Sequence, residues 1–317
     1  MQVKREQVAF ILIAGPTGVG KSACALQIAD ILGNSEIVNA DLGQFYTPLT
    51  IGTAKPNWRN EKTPHHGYDI LDTPIDYTAA DYRLYLQSLC DDFAARGKTP
   101  IIVGGSSFYW NCLFFPPQIY SKKTHTISTD VHQICAQDYT WQYLYKVDAV
   151  RAQAIHPQDT YRICRAIDIW RYQGILPSSL QPIYDPIHPI FHIIYLTRPR
   201  DELYERIDNR VEIMMNEGWI EEVASLDQTW RDFVLRKKII GYDNIIEYHE
   251  GKIHYKDIVS TIGQRTRNYA KRQEIYWRSW KNKLEKNRSR VYSEVVLQRD
   301  QEHLTESQME PIKRMFL

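Results

Sequence analysis

Eight residues near the start of the chain, Gly15-Pro-Thr-Gly-Val-Gly-Lys21-Ser22, have the types and spacing of a phosphate cradle, G-x-x-x-x-G-K-[ST]. In the loop Gly15, Pro16, Thr17, Gly18, Val19, Gly20 the glycines let successive backbone N–H groups turn inward around a phosphate. A helix opening at Ser22 adds its partial positive charge. Lys21 supplies a full charge, and the Ser22 hydroxyl can hold a magnesium ion. The loop follows the apolar run Val8-Ala-Phe-Ile-Leu-Ile-Ala14, so the order is buried strand, glycine turn, helix. A di- or triphosphate is the ligand such a loop fits.

Asp41 is the second residue of interest. It follows Glu36-Ile-Val-Asn-Ala, which reads as a strand ending at this acid. An acid beside a phosphate chain repels it unless it takes a proton or binds a metal, so general base, magnesium ligand and plain helix cap all remain open. The adjacent His65 and His66 lack a second ligand pair, and side chains at i,i+1 point apart, which disfavours a metal site.

These residues need a scaffold, and the hydrophobic pattern supplies one. Strands are expected at 8–14, 36–41, 100–105 and 189–196, with helices at 21–32 and 79–96, the latter carrying Tyr82, Leu86, Leu89 and Phe93 on one side. Alternation of this kind gives a parallel sheet covered by helices, with ligands at the carboxyl ends of its strands. The glycine loop, Asp41 and Gly104-Gly105-Ser106 all lie at such ends. The expected fold class is α/β, a P-loop NTPase-like parallel sheet flanked by helices, carrying a mostly helical insertion. The core spans 1–112 and 189–317, its later part helical. The insertion spans 113–188, with helices near 128–154 and 159–173. Residues 200–226 read as one helical stretch interrupted at Gly218, and helix continues to about 282. The tail beyond Tyr292 carries little signal.

The chain has 317 residues, 43% hydrophobic and 24% charged, the balance of a globular enzyme rather than a disordered chain. No apolar run reaches the roughly 18 residues of a membrane span, and the start lacks the features of a signal peptide. A cytoplasmic protein is expected. The five cysteines are scattered without a C-x-x-C pair and read as reduced, packed thiols. Net charge is +1, which excludes a global pull on nucleic acid. Residues 265–290 nevertheless hold ten Lys and Arg against Glu274 and Glu285. Such a block is either a solvated helix face or a local phosphate-contacting patch.

The motifs, taken in order, resemble those of the tRNA dimethylallyltransferases (tRNA isopentenyltransferases, bacterial type). The match runs through 15–22, Asn39-Ala-Asp41, Gln44, Tyr46, Ile51-Gly-Thr-Ala-Lys-Pro56, Pro64-His-His66, Asp69-Ile70, Tyr77-Thr-Ala-Ala-Asp81 and Val103-Gly-Gly-Ser106. It continues through Tyr109, His156-Pro157, Asp159, Arg162, Arg165-Ala166, Ile240-Gly-Tyr242 and Lys271-Arg-Gln273. The resemblance covers about 8–280. It implies transfer of a dimethylallyl group from dimethylallyl diphosphate to N6 of adenosine 37 in tRNA, by a monomer, with Mg²⁺. It makes Asp41 the general base, with Thr17 and Ser106 also catalytic. Gly15 to Ser22 and Arg162 then hold diphosphate, Ser22 touching the metal. It implies tRNA contacts at Asp41, Leu42, Gly43, Gln44, Ser106, Tyr161, Arg162, Ile163, Cys164, Arg165, Lys238, Gly241, Tyr242, Lys271 and Arg272.

The chain departs from the family at four places. Leu42 stands where serine is usual, Ser106 where threonine is usual, Lys238 where many bacterial members have arginine, and Glu274 where an apolar residue follows Lys-Arg-Gln. Lysine keeps the charge of arginine but loses its bidentate fork. Three other functions share parts of the pattern: prenyl transfer to free adenosine nucleotides, a small-molecule P-loop kinase, and a tRNA-binding protein without catalysis. The insertion and the basic block favour a tRNA substrate over a mononucleotide. The insertion and the 51–56 motif disfavour the kinase. Retention of Lys21, Ser22 and Asp41 disfavours loss of chemistry.

Overall fold

The structure, a computed structural model, describes residues 9–117, 139–188, 191–286, 291–296, 301 and 303–313. It divides into two compact units, one of residues 1–114 and 186–317, the other of residues 115–185.

The first unit is built on a parallel sheet of six strands in the order β3 (His65–His66), β2 (Ser35–Asn39), β4 (Thr99–Val103), β1 (Phe10–Ala14), β5 (Phe191–Thr197), β6 (Val291–Val296). β1 (Phe10–Ala14), β2 (Ser35–Asn39) and β4 (Thr99–Val103) are buried along their whole length. Helices cover both faces of such a strand, which explains the unbroken apolar run of β1. The carboxyl ends of β2, β4 and β1 are neighbours, so the three loops singled out above open onto one edge. α1 (Lys21–Leu32) starts after the glycine loop and ends where the Gly33 N–H bonds Ala29 O. α2 (Ala79–Arg96) is set by a capping box of Thr78 and Asp81 and stopped by Gly97. Both helices have the bounds expected from sequence.

Other elements differ from expectation. β2 stops at Asn39, two residues before Asp41. His65 and His66 form a two-residue strand, β3, beside β2, and His66 Nε2 lies 2.7 Å from the Glu36 carboxylate. The tail contributes β6 (Val291–Val296), which pairs in parallel with β5 (Phe191–Thr197). α3 (Ser107–Cys112) follows β4. The stretch read as one helix with an interruption is two, α7 (Arg200–Asn216) and α8 (Trp219–Ser225), broken at left-handed Gly218. α9 (Gln228–Lys237), α10 (Tyr242–His249), the 32-residue α11 (Tyr255–Lys286) and α12 (Glu306–Lys313) complete the unit.

The second unit holds α4 (Trp141–Val147), α5 (Ala149–Gln153) and α6 (Thr160–Gln173). Residues 128–138 of the expected helix lie outside the described residues. Asp148 separates α4 from α5, its carboxylate accepting from the Arg151 and Ser178 N–H groups. The core of this unit gathers Leu144, Ala152, Ile155, Ile163 and Ile167. Cys24, Cys90 and Cys112 are free thiols and Cys135 lies outside the described residues. Cys164 is disulfide-bonded, so the reading of every cysteine as reduced fails there. A single sequence with scattered cysteines does not show which thiols approach.

Trp219 is a wedge that the sequence does not announce. Its buried indole lies between Gly52 and Gly241, where an added Cβ would stand 2.0 and 2.1 Å from ring atoms. Gly241 also has φ of +93°, whereas Gly33, at +69°, faces open space. Gly33→Ala is expected to cost about 1 kcal/mol for the left-handed backbone alone. Gly241→Ala adds overpacking and is expected to cost roughly 3 kcal/mol. Urea midpoints check this, and equal losses would remove Trp219 from its wedge role.

Candidate active site

The carboxyl edge of β2, β4 and β1 gathers one carboxylate and two cations. Asp41 follows β2 and precedes a 3-10 turn, Leu42–Phe45. Burial pushes its carboxyl above the ordinary range, while Lys21, Arg210 and the N–H groups of Gly43 and Gly105 pull it down. Asn39 fixes the backbone here, accepting from the Asp41 N–H at 2.8 Å and donating to Gly67 O at 2.9 Å. Lys21 opens α1, and its Nζ donates to Gly15 O and Pro16 O. Burial lowers Lys21 to about 8 against the opposing pull of Asp41, with Arg210 lowering it further.

Arg210 escaped the sequence reading, because α7 presents only a helical pattern there. Its guanidinium donates to Thr17 Oγ1 at 2.5 Å, and burial lowers its proton affinity against the pull of Asp41. Arg206, one turn earlier, donates to Gly18 O at 3.2 Å. Gln273 on α11 ties two loops together. Its Oε1 accepts from the Thr17 N–H at 2.9 Å and its Nε2 donates to Gly105 O at 2.7 Å. Tyr68 and Tyr269 have their phenols raised by burial first and by the charge of Asp41 second.

The structure thus brings together the glycine loop, Lys21, Asp41, Gly43 and Gly105. Ser22 is exposed on the first turn of α1. Ser106 is half-buried just before α3 and makes no capping hydrogen bond. The half-buried Leu42 and Gln44 belong to the turn after Asp41. Other candidates lie elsewhere. Tyr242 is fully buried and its hydroxyl donates to Glu222 at 2.7 Å, while Gly241 packs on Trp219. Ile163 and Cys164 are buried in the core of the second unit, whereas Tyr161, Arg162 and Arg165 are exposed on the same helix. Arg162 lies 3.4 Å from Asp159.

The basic block divides in the same way. Arg265 bonds Asp243 and Asn244, and Arg267 pairs with Asp208, so these two serve the fold. Lys271 and Arg272 are exposed, as is Lys238, which closes α9 with a left-handed backbone. Arg288 and Arg290 lie outside the described residues. Lys55, within the 51–56 motif, is also structural: its Nζ pairs with Asp69 and donates to Tyr46 O.

A family model described as IPP transferase matches residues 44–280. The chain belongs to the IPP transferase family. It is 36% identical over 300 residues to a tRNA dimethylallyltransferase of Petrotoga mobilis, covering 90% of this chain and 96% of that protein. Among solved structures it resembles a eukaryotic dimethylallyltransferase acting on tRNA, with a TM-score of 0.72, 26% identity, and coverage of 96% of this chain and 77% of the other. It also resembles a tRNA isopentenylpyrophosphate transferase of Staphylococcus epidermidis, with a TM-score of 0.59, 26% identity, and coverage of 96% and 98%. The IPP transferase match includes Gln44 and Gln273, and Arg210, which geometry adds to the site, also falls inside it.

A lysine held near 8 by burial has a stability consequence. The unfolded chain binds more protons than the folded one between about 8 and 10.5, so the native state gains stability as pH rises through that window. Lys21→Met is therefore expected to raise the denaturant midpoint at pH 7, with an advantage that shrinks as pH approaches 10.5. A variant less stable than the parent at pH 7 would show that Lys21 is not held at a desolvation cost.

Proposed function

We propose that this IPP transferase moves a dimethylallyl group from dimethylallyl diphosphate to N6 of adenosine 37 in tRNA. The observation that carries the proposal is Asp41, a carboxylate raised by burial, set against the two cations of a phosphate cradle. The N6 amine of adenine is a weak nucleophile and must lose a proton as the C–N bond forms. In the proposed step N6 bonds C1 of the prenyl group, the C1–O bond breaks, diphosphate leaves with the electron pair, and Asp41 takes the N6 proton. Charge growing on the leaving oxygens is met by Lys21, Arg210 and the N–H groups of the glycine loop. Thr17, whose hydroxyl and N–H are both held, fixes that loop. Ser106, at the carboxyl end of β4, offers its hydroxyl to substrate.

Magnesium fits this site as a ligand shared with the diphosphate. Among the described residues no three His, Cys, Asp or Glu gather to hold a metal by themselves. Mg²⁺ is typically held by one or two protein oxygens together with phosphate oxygens and water, and Ser22 supplies a hydroxyl. When bound, the ion neutralises diphosphate charge. Arg162, with the exposed Tyr161 and Arg165 of the second unit, is assigned to the substrates, and Lys238, Lys271 and Arg272 to tRNA phosphates. The target base leaves its stack to reach the half-buried Asp41 carboxylate. Among the described residues no helix is long and apolar enough to cross a membrane. A cytoplasmic monomer is part of the proposal.

The test uses labelled dimethylallyl diphosphate, Mg²⁺, and three samples: unmodified tRNA with an A36-A37 anticodon loop, AMP, and no acceptor. Label is expected in tRNA at position 37. Label in AMP alone would reassign the enzyme to nucleotide prenylation. Asp41→Asn is expected to lose more than about a hundredfold in transfer rate while keeping tRNA affinity within a few-fold. More than half of the parent activity would remove Asp41 from the base role.

A further inference from the structure

Gln44 stands one 3-10 turn beyond Asp41, its N–H bonded to Asp41 O. In such a turn, positions three apart stack over one another. The side-chain amide of Gln44 is committed in one sense. Its Nε2 lies 3.0 Å from Thr53 O and 3.2 Å from Ala54 O. Backbone carbonyls only accept, so the nitrogen must face them and both of its N–H bonds are used. Oε1 is left with no protein hydrogen bond among the described residues. Gln44 is thus an acceptor without a free donor.

That orientation depends on where the carbonyls of 53 and 54 are held. The Glu222 carboxylate accepts from three successive N–H groups, those of Thr50, Ile51 and Gly52, at 2.9, 2.6 and 3.3 Å. It also accepts from the Tyr242 hydroxyl. Such a concave run of N–H groups is an anion nest, and here a protein side chain fills it. Trp219 blocks movement of Gly52. Ala54 has φ of +50°, a strained value for a residue with a Cβ, and it persists because the loop around it is fixed from several sides.

We propose that Glu222 is a positioning residue that, through the 50–54 loop, makes Gln44 an acceptor-only reader of the exocyclic amine of the target adenine. The proposal rests on the adenine-prenylation assignment and adds to it a source of base discrimination. An adenine N6 has two N–H bonds. Asp41 receives one proton in the reaction, and Gln44 Oε1 accepts from the other N–H, which holds the amine in place. A 6-oxo purine would turn lone pairs toward both acceptors and leave them unpaired.

The test compares the full-length parent, Gln44→Met, Glu222→Gln and the double variant. Affinities are measured for two anticodon stem-loops, one with adenosine and one with inosine at position 37, and KM is measured for dimethylallyl diphosphate. The parent is expected to prefer adenosine by tenfold or more, and each single variant to lose about tenfold of that preference. The double variant is expected to match Gln44→Met within about twofold, because Glu222 acts through Gln44. Donor KM should stay near the parent value throughout, whereas a merely structural role would raise it. Tyr242→Phe, which removes one of the four bonds to Glu222 and leaves the loop contacts, is expected to show a smaller loss in the same direction. Unchanged discrimination in Glu222→Gln, or losses that simply add in the double variant, would overturn the proposal. If the parent itself transfers no label to tRNA, the adenine-prenylation assignment falls and the proposal falls with it. Transfer by the parent with intact discrimination in the variants overturns the positioning role alone.

Discussion

One carboxylate under the electrostatic pull of two cations sets the terms for the carboxyl edge of the sheet. Asp41, Lys21 and Arg210 are each desolvated, and each alone would be driven toward its neutral form. Together they offset that cost in part. Removing the acid would leave two cations facing one another, and removing either cation would leave Asp41 with less reason to ionise. A general base works best when its proton affinity lies near the operating pH. Burial lifts Asp41 toward that range and the cations limit the rise. In the proposed reaction the same cations meet the phosphates of the donor, so the tuning of the base and the binding of the leaving group share residues.

The geometry of this cluster is kept by α11. Gln273 is a single amide that accepts from the loop after β1 and donates to the loop after β4. Neither a carboxylate nor an amine does both, which accounts for the residue type. The rotation of α11 that brings Gln273 inward is locked by aromatic packing further along the helix. Trp277 stacks on Tyr195 of β5 at 4.0 Å, and Trp280 packs edge-on against Trp110 of α3 at 5.0 Å. Lys271 and Arg272 precede Gln273 directly and are turned out to solvent. In one short motif, then, the helix period separates two cations for solvent or RNA phosphates from one amide for the loops.

Much of this was legible in sequence because it is local. Glycine punctuation and a capping box mark the ends of α1 and α2, and the phosphate loop announces itself by type and spacing. The residues that were missed act across long separations. Arg210 meets Thr17, and Glu222 meets Thr50 to Gly52, only after the sheet has closed. Strand β3 is too short to show a period, and β6, in the tail, gave no reading. The motif around Tyr242 was legible as a unit, yet its orientation was not: the phenol turns inward to Glu222. Ile163 and Cys164 turn inward for a similar reason: Arg162 and Arg165, three apart on α6, share its exposed face and leave the residues between them for the core.

The two substrates of the proposed reaction are served by different parts of one framework. In that proposal the donor side is the glycine loop, α1 and Arg210 on α7. The acceptor side is the turn after Asp41 with the loop that α8 holds through Glu222. Asp41 is the residue common to both. A diphosphate arriving beside it adds negative charge, and negative charge raises the proton affinity of a carboxylate. Donor binding therefore makes Asp41 a better proton acceptor at the time the amine must release a proton. Departure of the diphosphate removes that charge and lets the carboxylate give the proton up to solvent. In the proposed reaction the electrostatics thus couple the base to the occupancy of the donor site.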